Sequence, residues 1–191
     1  MSPTQPILAA GPVLFETPRI LCRQLTAADE DELFAVYSDP EAMRYVDDGQ
    51  PITRAETRRW IEVTLANYAR RGYGMSALRL KGEDQPLVGF MGLVHPRDQV
   101  EPELKYALKR TFWGQGLATE AAEGMLRYGL ASQGMRYVIA TTAPANEPSH
   151  RVLEKVGMQR CELVEDEDGD RTLVFEWRPR PLGWLAETGD W

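Results

Sequence analysis

A chain of 191 residues, 43% hydrophobic and 27% charged, has the size and composition of one globular domain, which excludes a disordered, collagen-like or disulfide-scaffold protein. Its 29 acidic side chains outnumber 22 Lys and Arg for a formal charge of −7, which argues against direct nucleic-acid binding and suits a cationic substrate or partner. Only two cysteines occur, Cys22 and Cys161, far apart in sequence, so no disulfide framework is expected. With no basic leader and no run of ~18 apolar residues, a cytoplasmic protein with no membrane partner is expected.

In chain order, the proline-rich start through residue 14 reads as a flexible arm. Arg19 to Leu25 alternates like a strand. Thr26, with Asp29 three residues on, then opens a helix ending near Ser38. Asp39 to Ile52 reads as an irregular loop. Thr53 and Glu56 form a capping box for a second helix, whose Trp60, Ile61, Leu65 and Tyr68 read as a core stripe up to the stop at Gly72. Tyr73 to Leu80 and Pro86 to His95 form a hairpin across a polar turn, and Glu103 to Leu108 is the next strand. Leu117, Ala121, Met125 and Tyr128 share one face of a third helix, followed by a strand at Tyr137 to Thr142. A helix from Pro148 to Val156 is capped by Gly157. Strands at Gln159 to Val164 and Thr172 to Arg178 close the domain around the acidic turn Glu165 to Asp170. The order predicts one α/β domain with a mixed sheet, residues 15 to 178. The tail 179 to 191, with Trp184, Leu185 and Trp191, is apolar enough to pack on the domain or on a second subunit as a homodimer.

The most informative stretch is Trp113-Gly114-Gln115-Gly116-Leu117-Ala118-Thr119-Glu120-Ala121, which leaves a strand and opens a helix. Two glycines let the backbone approach a ligand, and the first turn of a helix leaves N–H groups unpaired. Together they suit a phosphate or pyrophosphate. The stretch is neither the dinucleotide fingerprint nor a Gly-Lys-Ser/Thr phosphate loop.

Taken with Glu103-Leu104-Lys105-Tyr106-Ala107-Leu108, the Asn146 to Met158 segment and the opening Glu16-Thr17-Pro18-Arg19-Ile20, this stretch resembles the GNAT acetyltransferases, in the branch of ribosomal-protein N-terminal acetyltransferases. The resemblance runs from about Phe15 to Arg178. It implies an α/β (α+β) fold with a mixed, mostly antiparallel central sheet of about seven strands and about four helices on its faces. The strands Glu103–Leu108 and Tyr137–Thr142 would be splayed. It also implies acetyl-CoA as co-substrate. Tyr106, Ala107 and Leu108 would line the pantetheine arm. Gly114, Gln115, Gly116, Leu117, Ala118 and Thr119 would cradle the pyrophosphate, and Asn146 would lie beside the donor. Trp113 stands where the family often has Gln or Arg, so one polar contact is expected to be missing.

Acetyl transfer needs a neutral amine, and an unperturbed lysine-type amine has a pKa of ~10.4, so a base or a desolvating site is required. The resemblance makes Glu103 the candidate base and Ser149 the residue that serves the leaving thiolate. A backbone N–H near Leu108 would meet the oxyanion. On the residues alone, Glu103 reads equally as a solvated strand residue, Ser149 and Asn146 as helix caps, and the Tyr106 ring as core. His95 and His150 have no second ligand at metal spacing, so no metal is expected. The expected activity is direct acetyl transfer to a primary amine, either a protein N-terminus or a small molecule. A coenzyme A-binding sensor without turnover is the alternative.

Overall fold

A computed structural model describes residues 11–46, 48–165 and 171–179. The expected arm before residue 11, the turn 166–170 and the tail tryptophans lie outside the described residues. Among the described residues eight strands and five α-helices follow in chain order: β1 Val13–Glu16, β2 Ile20–Gln24, α1 Glu30–Tyr37, α2 Pro40–Met43, α3 Arg54–Arg71, β3 Met75–Leu80, β4 Leu87–Val94, β5 Glu103–Leu108, α4 Leu117–Gln133, β6 Val138–Thr142, α5 Glu147–Lys155, β7 Gln159–Glu165 and β8 Arg171–Trp177. The sheet runs β1-β2-β3-β4-β5-β6-β8-β7, and every neighbouring pair is antiparallel except β5 and β6.

Three expectations are corrected. Residues 13 and 14, placed in the arm, begin β1, which pairs with β2 as the edge of the sheet. The loop after Ser38 contains the short helix α2, started by Asp39, whose side chain accepts from Glu41 N–H, with Pro40 at its first position. The buried face of α3 is Thr57, Ile61, Thr64 and Tyr68, while Trp60 and Leu65 are exposed. The helical period was right, but the phase was set by the sheet beneath the helix.

Helix α3 is delimited as its sequence dictates. Thr53 N–H donates to Glu56 Oε2 at 2.7 Å, and Gly72 closes the helix at φ 80°. With α1 it covers one sheet face over Leu33, Val36, Ile61, Ala77, Leu87 and Phe90. On the other face, α4 and α5 pack over Ile20, Leu78, Met91, Met125, Leu153 and Phe175. Burying a side chain such as Phe90 or Phe175 contributes roughly 1.5–3 kcal/mol. Strand β4 is buried on both sides and is the common wall of the two cores.

Beside these cores lies a buried ion network. The Arg23 guanidinium grips Asp29 through both terminal nitrogens, at 2.9 and 2.5 Å, and Thr26 N–H donates to the same carboxylate at 2.8 Å. Arg79 reaches Asp29 at 3.1 Å and also pairs with Glu32, which accepts from Leu87 N–H on β4. Helix α1 is thereby fastened to β2, β3 and β4.

Candidate active site

Strands β5 and β6 meet at one register pair, Glu103 with Ile139, where Ile139 N–H donates to Pro102 O at 3.0 Å. Beyond that pair they diverge into a wedge. Thr141 N–H, one strand alternation further along, finds no β5 carbonyl and donates instead to the Glu103 carboxylate at 3.1 Å. On the opposite edge of β5, Lys109 N–H reaches Val88 O on β4. Strand alternation therefore turns the main-chain amides of Tyr106 and Leu108 into the wedge.

The wedge leads to the glycine turn. Gly114 and Gly116 have φ of 72° and 75°, in the left-handed region that favours glycine, and Gly116 is the N-cap of α4 with no side chain bonded to the helix start. The N–H groups of Leu117, Ala118 and Thr119 thus sit in an uncapped first turn at the positive end of a long helix. Arg19 holds this turn from outside, its guanidinium donating to Gln115 O at 2.9 Å and to Glu120 Oε2 at 2.6 Å. The Thr17 hydroxyl and Arg19 N–H also donate to Glu120. Burial would raise the Glu120 carboxyl, but these bonds from Thr17 and Arg19 hold it below its ordinary value. Its charge is thereby offset beside the uncapped helix start. The pairing explains why the opening Thr17-Pro18-Arg19 belongs with the distant Thr119-Glu120, a link no local pattern carries. Trp113 makes a polar contact of its own, donating its indole N–H to Leu108 O at 2.8 Å.

The wedge and turn form one end of a groove of about 870 Å³. The other limb runs between α1, α3 and the 37–52 segment, over Tyr37, Tyr45, Val46, Trp60 and Phe90. Of the expected site residues, Tyr106, Ala107, Leu108, Gly114, Gly116, Leu117, Ala118, Thr119, Asn146 and Ser149 all border this groove. Gln115 belongs to the same turn but does not border it. Asn146 caps α5, accepting from Ser149 N–H at 3.3 Å.

The structure joins Ser149 to a group that pattern reading assigned to the core. Tyr106 Oη and Ser149 Oγ are 2.6 Å apart. Burial pushes the Tyr106 phenol up to about 12, with the Ser149 bond opposing, so the hydroxyl keeps its proton at neutral pH. Its Leu104 and Leu108 neighbours are buried as alternation predicts, but a tyrosine is long enough to carry its oxygen past that face.

Glu103 departs from expectation. It is only 2% exposed, does not border the groove, and its carboxylate accepts from Thr141 N–H and Oγ1, from Gln99 Nε2 at 3.3 Å and from Lys105 Nζ at 2.7 Å. A carboxylate enclosed by donors at the hinge of the wedge is ill placed to take a proton from an incoming amine. His95 is also committed: Nδ1–H donates to Gln99 O at 2.8 Å, leaving Nε2 to accept from Tyr73 Oη at 2.8 Å.

Residues 19–159 match the family model described as an acetyltransferase (GNAT) domain. The chain belongs to the GNAT acetyltransferase family. This acetyltransferase is 32% identical over 155 residues to the uncharacterized protein YkkB of Bacillus subtilis (strain 168), covering 78% of this chain and 86% of that protein. It is 30% identical over 152 residues to the uncharacterized N-acetyltransferase YoaA of the same organism, covering 77% and 83% of the two chains. Its fold matches that of an acetyltransferase from Agrobacterium tumefaciens str. C58, with a TM-score of 0.76 at 24% identity over 93% of this chain and 100% of the other. It also matches RimL, a ribosomal L7/L12 alpha-N-protein acetyltransferase solved with coenzyme A, with a TM-score of 0.72 at 14% identity over 87% and 97%. At these identities the structural matches speak for the fold. No helix among the described residues is long and apolar enough to cross a membrane.

Proposed function

We propose that the protein transfers an acetyl group from acetyl-CoA to a primary amine, on a protein N-terminus or a small molecule, by direct attack, as in the branch that contains the ribosomal-protein acetyltransferases. The observation that carries this reading is the wedge between β5 and β6 running onto the uncapped start of α4. That continuous path fits a molecule with an amide-rich arm and a diphosphate. Acetyl-CoA supplies a thioester whose carbonyl carbon accepts the nitrogen. The Tyr106 and Leu108 amides pair with the arm and present an N–H to the carbonyl oxygen as charge develops on it. The N–H groups of Leu117, Ala118 and Thr119 bind the diphosphate, and Asn146 keeps α5 and Ser149 beside the arm. As the C–N bond forms and the C–S bond breaks, the attacking nitrogen gives up one proton to solvent, and the Tyr106–Ser149 pair donates a hydrogen bond to the departing sulfur, which takes up a proton from solvent through that pair and leaves as the thiol. The apolar limb desolvates the acceptor, favouring its neutral form.

In this reading Glu103 is a positioning residue. By taking Thr141 N–H where the ladder stops, it fixes the angle of the wedge, and it orients Lys105. Glu103→Gln keeps an oxygen for Thr141, so the expected result is a rise in acetyl-CoA KM of less than about 10-fold with an unchanged pH profile of kcat/KM. Loss of the ionisation on the acidic, ascending limb would restore the general-base role.

Acetyl transfer is tested by incubating the protein with acetyl-CoA and a panel of amines and following free thiol and acetylated product. Acetyl-CoA binding without product from any amine would favour the sensor. Tyr106→Phe and Ser149→Ala should each lower kcat by about 10-fold with little change in acetyl-CoA KM, and the double variant should do little more, because the two hydroxyls act as one unit. Unchanged kcat in both would remove the pair from the mechanism.

A further inference from the structure

The protein's net charge of −7 suits a cationic acceptor, yet the groove has the opposite character. Its charged lining comprises two acids, Glu41 and Asp98, against five bases, Arg70, Arg97, Lys105, Arg151 and Lys155. Arg151 and Lys155 lie on α5 toward the donor end. In the acceptor limb Asp98 is taken by Arg70 at 3.1 Å and Arg71 at 3.2 Å, and these arginines hold its carboxyl below the ordinary value. That leaves Glu41 as the one lining carboxylate with no ion pair recorded among the described residues.

The apolar content of the same limb is high and poorly covered. Trp60 is 46% exposed, Tyr45 37% and Val63 42%, and all three border the groove. Below them Tyr37 stacks on Phe90 with centroids 4.7 Å apart, and Val46 and Ile52 complete the wall. Large apolar side chains left half-exposed together on a concave wall mark a ligand surface rather than ordinary surface scatter. They are also held in place. Arg58 on α3 pairs with Glu30 on α1 at 2.9 Å, and Ile52 N–H donates to Tyr37 O at 3.1 Å, closing the 37–52 segment onto the helix that carries Tyr37.

Resting on the acetyl-transfer reading above, we infer that the acceptor is a primary amine carried on an aromatic or branched aliphatic body with no second cationic group, and that Trp60 and Tyr45 select it. A polyamine or an aminoglycoside would bring further ammonium groups into a limb where Arg97 and the Arg70–Arg71 pair, whose two charges Asp98 only half offsets, repel them, where Lys105 is matched by Glu103, and where Glu41 can answer one. An apolar body instead covers Trp60, Tyr45 and Val63 and leaves its single amine to reach the thioester. The amine can come from a free arylalkylamine or from a peptide whose first residue is apolar, and both present the same chemistry to the limb.

The test measures kcat/KM with four acceptors: 2-phenylethylamine, a tripeptide beginning with phenylalanine, spermidine and kanamycin. Acetyl-CoA binding is measured separately by calorimetry. The expected result is a preference of at least about 10-fold for one or both apolar amines over both polycations. Trp60→Ala should reduce that preference by about 10-fold through acceptor KM, with acetyl-CoA KM unchanged, and Trp60→Phe should recover most of it. Tyr45→Ser provides a second variant at an exposed position should the first fold poorly. Equal or better use of spermidine or kanamycin, no turnover of either apolar amine by a protein that binds acetyl-CoA, or a preference untouched by both variants would overturn this inference and leave the donor site standing. Absence of acetyl-CoA binding would instead overturn the reading on which it rests.

Discussion

Replacing Gly116 with glutamate should weaken acetyl-CoA binding by about 100-fold, or about 2.7 kcal/mol, while leaving the fold intact. Two effects add. Gly116 sits at φ 75°, where a residue with a Cβ is strained by roughly 1–2 kcal/mol, so the turn that aims the α4 amides must shift. The new carboxylate also occupies the positive end of the helix in competition with the diphosphate, and two like charges about 4 Å apart on this water-exposed turn repel by about 1 kcal/mol. Gly116→Ala carries only the first effect and should lose about 10-fold. Calorimetric titration with acetyl-CoA checks both. Affinity unchanged in the glutamate variant would mean that the turn does not hold the diphosphate. The helix is long and Glu120 remains tied to Arg19 and Thr17, so the thermal midpoint of the variant should fall only by the few degrees that the backbone strain costs.

The second large effect concerns stability. Asp29→Asn should destabilise the protein by about 3–5 kcal/mol, because it leaves the Arg23 guanidinium, 6% exposed, buried without its counter-charge and removes one partner of Arg79. At about 2–4 °C per kcal/mol for a chain of this size, the melting temperature should fall by about 10 °C. The effect depends on pH with a definite sign. Burial acts to raise the Asp29 carboxyl, but Arg23, Thr26 N–H and Arg79 outweigh it and hold the folded-state pKa below the ordinary value. The ionised carboxylate therefore contributes fully above the unfolded pKa of ~3.9, and that contribution is lost as pH falls through the lower folded value. Urea unfolding of both proteins at pH 7 and again below pH 4 should show the gap narrowing in acid. A gap of the same size at both would mean that packing, not charge, is at stake. The network holds α1 against β2 to β4, so the variant should also loosen the wall that carries Tyr37 in the acceptor limb.

Much of this molecule was legible before folding because its signals are local. The Thr53–Glu56 capping box, the stop at Gly72 and the glycine turn before α4 each depend on residues within a few positions of one another, and each stands where the pattern put it. The wedge and turn at one end of the groove were legible for the same reason, since a strand, a tight turn and a helix start are contiguous in the chain. The phase of α3 was not. Trp60, Ile61, Leu65 and Tyr68 are all apolar, and only the position of the sheet decides which of them face it.

The sequence by itself determined the family, the order of the elements apart from β1 and α2, and the strand–turn–helix geometry before α4, because these rest on short-range periodicity and backbone geometry. Only the tertiary structure decided how side chains far apart in the chain divide the work. It enclosed Glu103 among Thr141, Gln99 and Lys105, brought Tyr106 to Ser149 across 43 residues, and tied Arg19 to Glu120 across 101. It also gave a net acidic chain a groove whose charged lining is mostly basic and whose wall carries half-exposed aromatic rings. Charge composition is a sum over the whole surface, whereas a ligand meets only the few groups that folding gathers on one concave wall.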